Sequence, residues 1–277
     1  MMNLTTIRNK VIKGIKAQDT YGKYLSLAQI SHRQKEVMYD IYKQYYQNTN
    51  FELFLSDFNG KDGAILVFES KSRTIVGFST VVLNNFDYQG KKYRFIFSGD
   101  TVILKEFWGS RALQSTMFKL KVKIRLMYPL EEVYWMLISK GYKTYLLLAN
   151  NYEVYYPNVD GEHRNLAPIV EEYCKRFYAK FYDNRSGLLN FGEDYQPLKQ
   201  DIAPITAEMK AKNPKIGFFE RMNPTWIKGT ELPCVGRFGW KDIARYPVHY
   251  LSKQTSVGKF EAIRHRKATF KKLESNV

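Results

Sequence analysis

The sequence predicts an α+β protein built on a mixed β-sheet. Three observations point to this class: a helix with a capping pattern at Ser31, three consecutive strands between residues 64 and 104, and a glycine turn at Gly109 that leads into a second helix. The chain has 277 residues, of which 44% are apolar, so it can bury a large core. We therefore expect a folded protein rather than a disordered one.

The first helix is predicted to begin at Ser31, because Ser31 and Gln34 form a capping-box pair. Apolar side chains then recur at helical spacing and would form one buried face: Val37, Met38, Ile41, Tyr42 and Tyr45. We expect this helix to end near residues 48–50.

Three strands follow the first helix. Residues 64–69 form an apolar run of strand length, and residues 74–83 form a second run after a short polar turn, so the pair predicts a hairpin. Residues 92–104 predict a third strand that is interrupted at residues 98–100, where the sequence reads Ser-Gly-Asp. Consecutive hairpins of this kind form an antiparallel meander.

A tight connection at residues 107–111 links the third strand to a helix predicted over residues 112–127. A helix that begins directly after a glycine turn presents unpaired backbone N–H groups and the positive end of its dipole. Arg111 adds a fixed positive charge to this position. The connection therefore predicts an anion site that is suited to a pyrophosphate.

The remaining elements are a strand at residues 133–138, a helix at residues 142–152 and a helix at residues 165–183. From Asn184 onward glycine and proline are frequent, and the predicted elements are short. We expect an N-terminal extension over residues 1–29, a core over residues 30–157, and a helical and irregular C-terminal extension over residues 158–277 that completes the acyl or acceptor site.

The predicted third strand and the connection after it carry a family resemblance. Residues 101–104, Thr-Val-Ile-Leu, followed by residues 108–113, Trp-Gly-Ser-Arg-Ala-Leu, resemble the fourth strand and acyl-CoA loop of GNAT-superfamily N-acyltransferases. That loop usually reads Arg/Gln-x-x-Gly-x-Gly/Ala. Glu106, Gly109 and Arg111 occupy these places here, so the first and last positions depart from the pattern. The resemblance covers about residues 30–157.

Further blocks resemble GNAT-like fatty N-acyltransferases of bacterial natural-product clusters, including enzymes that acylate lysine or ornithine side chains of ribosomal lipopeptides. These blocks are residues 97–101, 134–135, 141–145, 223–224 and 228–232. The resemblance implies a GNAT-like fold and transfer of an acyl group from a thioester to an amine. The likeness to these fatty N-acyltransferases implies that the acyl group is a fatty acyl group. It implies no permanently bound cofactor, because acyl-CoA or acyl-phosphopantetheine is a substrate.

The resemblance also implies a donor site and two catalytic residues. The backbone of Val102 and Ile103 would pair with the pantetheine amides. The pyrophosphate or the phosphopantetheine phosphate would be held by the following loop: Trp108, Gly109, Ser110, Arg111, Ala112 and Leu113.

Direct attack by an amine requires loss of a proton from an ammonium whose pKa is about 10.4. Asp100 precedes the pantetheine-pairing segment, so we assign it as the general base, with two alternatives: it binds the substrate ammonium, or it caps a bulge. A tyrosine would protonate the leaving thiolate, and we assign Tyr145, although each tyrosine in a chain with 21 of them also fits a packing role.

The formal net charge of +16 favours anionic partners. The expected partners are acyl-CoA or an acidic acyl carrier protein as donor and an amine as acceptor, with a peptide side chain and a homodimer left open. Two other functions remain: nucleic-acid binding, indicated by basic and aromatic residues together at 175–178 and 264–267, and a GNAT fold that binds ligand without catalysis. The sequence lacks the RNP, KH and zinc-finger patterns.

The other features exclude several classes. None of the four histidines has a partner at metal-ligand spacing, and Cys174 and Cys234 do not form a C-x-x-C pair, so we expect no metal. Residues 1–18 lack the apolar stretch of a signal peptide, and no apolar run is long enough to cross a membrane, so we expect a cytoplasmic protein. Six aromatic residues either line an acyl tunnel or pack in a core: Phe177, Phe181, Phe218, Phe219, Trp226 and Trp240.

Overall fold

The computed structural model describes residues 19–192 and 205–245. It contains nine strands and seven α-helices within these ranges. The strands are β1 (Thr20–Ser26), β2 (Gly63–Glu69), β3 (Ile75–Tyr88), β4 (Lys91–Ile103), β5 (Glu132–Ser139), β6 (Tyr155–Tyr156), β7 (Tyr182–Asp183), β8 (Leu188–Leu189) and β9 (Leu232–Arg237). The helices are α1 (His32–Tyr42), α2 (Phe51–Phe58), α3 (Ala112–Met127), α4 (Tyr142–Ala149), α5 (Ala167–Phe177), α6 (Ala207–Lys212) and α7 (Pro214–Met222).

Seven strands form one mixed sheet in the order β1-β2-β3-β4-β5-β9-β6. All neighbouring strands run antiparallel except β4 and β5, which run parallel and are connected through α3. β7 and β8 form a separate two-stranded hairpin. The predicted α+β class with a mixed sheet is therefore confirmed.

Helices cover both faces of the sheet. On the first face, α1 and α2 pack over β2, β3 and β4, and α5 packs over the half formed by β4, β5 and β9. Because side chains alternate along a strand, Phe78 and Phe95 point to this face, and Phe95 contacts Tyr173 of α5 with ring centroids 4.8 Å apart. On the second face lie α3, where Ala112 packs against Val67 and Val76, and α4.

The predicted start of α1 and the predicted bounds of α3 are confirmed. The hydroxyl of Ser31 accepts a hydrogen bond from the backbone N–H of Gln34, and the side chain of Gln34 accepts one from the backbone N–H of Ser31. Helix α3 covers residues 112–127, as its apolar spacing predicts. A capping box and a long apolar stripe are local features, so the sequence specifies them directly.

Several boundaries differ from the predictions. α1 ends at Tyr42 rather than near residues 48–50, because Asn50 caps a separate helix, α2, by accepting from the N–H of Leu53. α4 and α5 are shorter than predicted. An interruption was predicted at residues 98–100. Instead β4 continues through these residues with a β-bulge.

Two strands of the sheet come from outside residues 30–157. β1 pairs with β2 at one edge, and β9 lies between β5 and β6. The side chain of Val235 on β9 belongs to the same buried cluster as Met136 on β5. Segments distant in sequence therefore complete the sheet on both sides.

The chain divides into two compact units, residues 1–238 and residues 239–277. Of the second unit the structure describes residues 239–245, which are helical from residue 240. The N–H of Gly239 donates to Asp242 Oδ2 at 2.7 Å, which caps this helical segment.

Candidate active site

The parallel strands β4 and β5 separate in the middle of the sheet. Their pairing ends where Phe97 lies beside Met136, but β4 continues to Ile103 and β5 continues to Ser139. Beyond this point β4 pairs only with β3, and β5 pairs only with β9. The gap between residues 98–103 and residues 137–139, called here the strand opening, leaves backbone groups of both strands without a sheet partner on one side.

A β-bulge places Asp100 at the strand opening. Phe78 on β3 lies opposite Val102, and Thr80 lies opposite Gly99, so one residue of β3 faces two residues of β4. Asp100 takes up the extra length with a φ of 37°, a backbone conformation that non-glycine residues rarely adopt and that aspartate tolerates better than most. A bulge of this type redirects a side chain, and here it brings the Asp100 carboxylate to the Thr80 hydroxyl, which donates to Oδ2 at 3.1 Å.

Glu231 lies at the other side of the strand opening. It directly precedes β9, and its backbone N–H and carbonyl pair with those of Leu189. The Glu231 carboxylate is buried, with Oε1 3.9 Å from the Lys140 ammonium at the end of β5. Burial raises the pKa of the Glu231 carboxyl to about 7, the Lys140 charge opposes this shift, and the Asp100 charge adds to it.

The charge of Asp100 therefore raises the pKa of the Glu231 carboxyl across the opening. Burial raises the pKa of Asp100, the Lys61 ammonium lowers it, the Asp57 carboxylate raises it, and the bond from Thr80 lowers it. Lys61 also donates to Asp57 Oδ1 at 2.9 Å on α2 and its following turn. Of the two carboxyl groups at the opening, the buried Glu231 carboxyl has a pKa that lets it take up and release a proton near neutral pH.

The charges of Asp100 and Glu231 also act on two tyrosine hydroxyls. The pKa of Tyr46, between α1 and α2, is raised by burial and then by the charges of Asp100 and Glu231. The pKa of Tyr178, after α5, is raised by burial, and the charges of both carboxylates contribute. Asp100, Glu231, Tyr46 and Tyr178 form a cluster, called here the acidic cluster, on the face of the sheet that α1 and α5 cover.

The predicted donor loop has the local geometry that the sequence predicts. Gly109 has a φ of 93°, and a side chain at this position would meet no atom within 4 Å. The Ser110 hydroxyl forms a 2.6 Å hydrogen bond with Thr20 on β1 and accepts one from the N–H of Ala112 at 3.1 Å. Arg111 occupies the N-cap position of α3, and no side chain caps this helix at that position. Backbone N–H groups of the first turn are therefore directed toward the loop.

The two predicted pantetheine-pairing residues differ in what their backbone contacts. Val102 lies opposite Phe78 on β3, and its side chain is buried in the core under α1. The carbonyl of Ile103 points away from β3, since the next residue, Leu104, donates its N–H to Val76 on β3 and successive residues face opposite sides. Of these two residues, Ile103 is the one that directs its backbone carbonyl to the strand opening.

Tyr145 lies in a different part of the molecule from the acidic cluster. Its side chain is fully buried between α4 and α7, next to Phe219, and its hydroxyl donates to the carbonyl of Pro157 at 3.0 Å. Burial and the neighbouring Tyr155 raise its pKa. Donation from Tyr145 to a leaving thiolate would require loss of the bond to Pro157.

The aromatic residues considered for a tunnel do not come together in the described residues. Phe219 and Trp226 pack with Tyr145 beside α4, on the second face of the sheet. Phe177 and Phe181 lie at the end of α5, on the first face, and are each 40% exposed. The cations beside Phe177 form ion pairs along α5, Lys175 with Glu171 and Arg176 with Glu172, both at 2.5 Å. Residues 264–267 lie outside the described residues.

Sequence reasoning did not identify Glu231, Tyr46 or Tyr178 as site residues. Glu231 stands in a block, residues 228–232, that carried part of the family resemblance, and this is the pattern that pointed nearest to it. Glu231 and Asp100 are distant in sequence, and only the placement of β9 next to β5 brings them together. Among the residues that the structure describes, no helix is long and apolar enough to cross a bilayer.

No protein-family model and no curated protein matches this chain. Solved structures with a similar arrangement include a conserved protein of unknown function from Enterococcus faecalis V583, described as a probable N-acyltransferase, at 10% identity and a TM-score of 0.37. The match covers 50% of this chain and 33% of that chain, so this chain corresponds to about a third of the Enterococcus protein.

Two further solved structures are similar over part of the chain. Glucosamine-6-phosphate N-acetyltransferase from Arabidopsis thaliana matches at 16% identity and a TM-score of 0.31, over 43% of this chain and 81% of that chain. FeeM, an N-acyl amino acid synthase from uncultured soil microbes, matches at 12% identity and a TM-score of 0.31, over 47% of this chain and 78% of that chain.

Proposed function

We propose that this protein is an N-acyltransferase of the GNAT type, which transfers an acyl group from a thioester of CoA or of an acyl carrier protein to an amine. The observation that carries the proposal is the strand opening, where β4 and β5 separate and where the buried Glu231 carboxyl lies within reach of the Asp100 charge. An opening between parallel strands can admit an extended thioester arm, because unpaired backbone groups there can bond its amides. A pair of buried carboxyl groups at the same place supplies the proton acceptor that amine attack needs.

The donor is placed along β4, with its phosphates at the start of α3. The first-turn N–H groups, the positive end of the helix dipole and Arg111 favour an anion there. The positive φ of Gly109 lets the backbone turn without a side chain in the way. The thioester carbonyl would then lie next to the bulge at Asp100.

Glu231 is the residue that we assign as the general base, with Asp100 beside it. A base with a pKa of about 7 is largely ionised at pH 7.5 and is still basic enough to accept a proton from a bound ammonium. Asp100 then contributes negative charge that draws the ammonium into the cluster, which is one of the alternatives predicted for it. The ammonium first loses one proton to solvent water, the neutral amine nitrogen bonds to the thioester carbon, Glu231 takes the second proton from this nitrogen, and the C–S bond breaks.

The leaving thiolate takes up a proton from a neighbouring hydroxyl. Tyr145 was predicted for this role, but its hydroxyl is bound to Pro157. The charges of both carboxyl groups act on Tyr46, so we propose that it regains its proton from the group that has just accepted one. We therefore assign Tyr46 as the acid and keep Tyr145 as the alternative that the experiment must compare.

The acceptor is an amine that enters as a cation. Two carboxylates at the strand opening attract an ammonium, and the aromatic rings of Tyr46 and Tyr178 can flank its methylene chain. A lysine or ornithine side chain, free or in a peptide, has this chemistry. Because Glu231 and β9 come from residues 158–277, we propose that this extension completes the acceptor side, and we place the reaction in the cytoplasm, where both thioester donors are made.

The test is native mass spectrometry followed by a transfer assay. The purified protein is titrated with acetyl-, decanoyl- and palmitoyl-thioesters of CoA and of acyl carrier protein, and Nα-acetyl-lysine amide is then added as acceptor. We expect retention of at least one thioester and formation of the Nε-acyl product, with product formation lost in the Asp100→Asn variant. Retention without product would indicate a binding module, and no retention of any thioester would overturn the proposal.

A further inference from the structure

The carbonyl oxygen of Ile103 accepts two hydrogen bonds from side chains. The Tyr45 hydroxyl donates to it at 2.8 Å, and the Trp108 indole Nε1–H donates to it at 2.8 Å. A carbonyl oxygen has two lone pairs, so these two donors use its acceptor capacity. Tyr45, Trp108 and the Ile103 carbonyl are called here the latch.

The latch connects two segments that are distant in sequence. Tyr45 follows α1, in the connection to α2, whereas Trp108 lies in the predicted donor loop before α3. Burial raises the pKa of Tyr45, and the Glu106 carboxylate adds to this shift, so the hydroxyl keeps its proton and can donate it to the Ile103 carbonyl.

The position of the latch conflicts with a bound donor. In the proposed function the thioester arm bonds the backbone of β4 at the strand opening, and Ile103 directs its carbonyl there. A donor amide N–H can bond this oxygen only when Tyr45 or Trp108 has left it. Trp108 is 64% exposed and is followed by Gly109 with its positive φ, so the indole has space to move.

We propose that Tyr45 and Trp108 are positioning residues that close the strand opening by bonding to the Ile103 carbonyl until the donor binds. A donor amide N–H then replaces one of these two bonds. The proposal rests on the proposed function, because it requires a thioester arm along β4. Tyr45 is directly followed by Tyr46, a member of the acidic cluster. Release of Tyr45 on donor binding therefore also acts on the segment that carries Tyr46.

The sign of the effect separates a latch from an ordinary structural bond. A bond that competes with the ligand lowers the apparent affinity, so removal of the bond tightens binding. One neutral hydrogen bond contributes on the order of 1 kcal/mol, which corresponds to about a fivefold change in affinity. A bond that only supports the site would weaken donor binding when it is removed.

The experiment measures the Kd of free CoA by calorimetry for the wild type and for Tyr45→Phe and Trp108→Phe. We expect CoA to bind each variant about fivefold more tightly, because each variant keeps an aromatic side chain and loses one hydrogen-bond donor to Ile103. The matched control is Tyr39→Phe, which removes a tyrosine bond to the Thr49 carbonyl in the same connection and should leave the Kd unchanged. Melting curves of the three variants check that the fold is kept.

A second readout follows the indole itself. The emission that is lost in Trp108→Phe should change when CoA is added to the wild type. In Tyr45→Phe this emission should already be partly shifted before CoA is added. Equal or weaker CoA binding in Tyr45→Phe, with normal binding in the wild type, would overturn the latch and leave the proposed function standing. Absence of CoA and acyl-carrier binding in every protein, wild type included, would overturn both.

Discussion

The two sides of the strand opening have opposite electrostatic character. On the side of α3, the donor loop presents backbone N–H groups and Arg111, which suit a phosphate. On the side of α1 and α5, the acidic cluster presents Asp100 and Glu231, which suit an ammonium. If the opening binds both substrates as proposed, its two sides separate an anionic donor from a cationic acceptor by charge. This separation does not require that any side chain recognises their shapes.

The comparison also shows what net charge leaves out. A formal charge of +16 attracts anions to the protein as a whole, yet two carboxyl groups lie at the point where the strands separate. Buried groups act over a few ångströms in a weakly screened environment, whereas surface charges are screened over about 10 Å in salt. In the proposed function, the local cluster and not the net charge therefore attracts the acceptor ammonium.

The largest expected effect comes from removal of the proton acceptor. Glu231→Gln keeps the size of the side chain but cannot take a proton, so we expect kcat to fall by about a hundredfold or more. In the wild type, kcat/KM should rise with pH and level off above about 7, because the carboxylate form is the active one.

The control for this prediction is Glu220→Gln, which breaks a 2.7 Å ion pair with Lys210 away from the opening. This variant should keep the wild-type kcat. A Glu231→Gln protein with normal turnover and an unchanged pH profile would remove Glu231 from the proposed mechanism.

The donor side gives the next largest effect. Gly109→Glu places a carboxylate beside the proposed phosphate position, and we expect CoA affinity to fall by roughly tenfold or more because like charges at close range repel. The neutral Gly109→Gln variant carries the same backbone strain at a φ of 93°, so it isolates the charge. If both variants bind CoA equally, the phosphate does not lie at this turn.

The donor side was predictable from sequence to a greater degree than the acceptor side. Residues 101–127 form one contiguous segment of strand, glycine turn and helix. Local sequence patterns therefore predict the turn at Gly109 and both bounds of α3. Asp100 was also predictable, because Ser-Gly-Asp inside an apolar strand indicates an interruption, and the structure resolves that interruption as a bulge.

The acceptor side depends on contacts that no local pattern shows. Glu231 reaches the candidate site only because β9 pairs with β5. Tyr46 reaches it only because α1 ends at Tyr42, so that Tyr46 lies in the connection between α1 and α2. Half-exposed β1 and the short α2 escaped prediction because their patterns are weak. Functional residues that several segments contribute are therefore the ones that sequence reasoning misses.

The last effect is on stability, and it has the opposite sign to the effect on activity. Burial raises the pKa of Glu231 from 4.5 to about 7, so the folded protein binds a proton more tightly than the unfolded chain does. The stability that this proton contributes is fully present below the unfolded pKa and is lost as the pH rises through 7.

Glu231→Gln has no proton to lose, so its advantage over the wild type in the free energy of unfolding should grow from pH 5 to pH 8. We expect an advantage of about 3 kcal/mol at pH 8, since the folded and unfolded pKa values of about 7 and 4.5 already include the Lys140 charge and one pKa unit corresponds to about 1.4 kcal/mol. Urea unfolding of both proteins at the two pH values measures this difference. A constant difference between them would mean that Glu231 does not titrate in this range, and the same carboxyl could not then serve as a base near neutral pH.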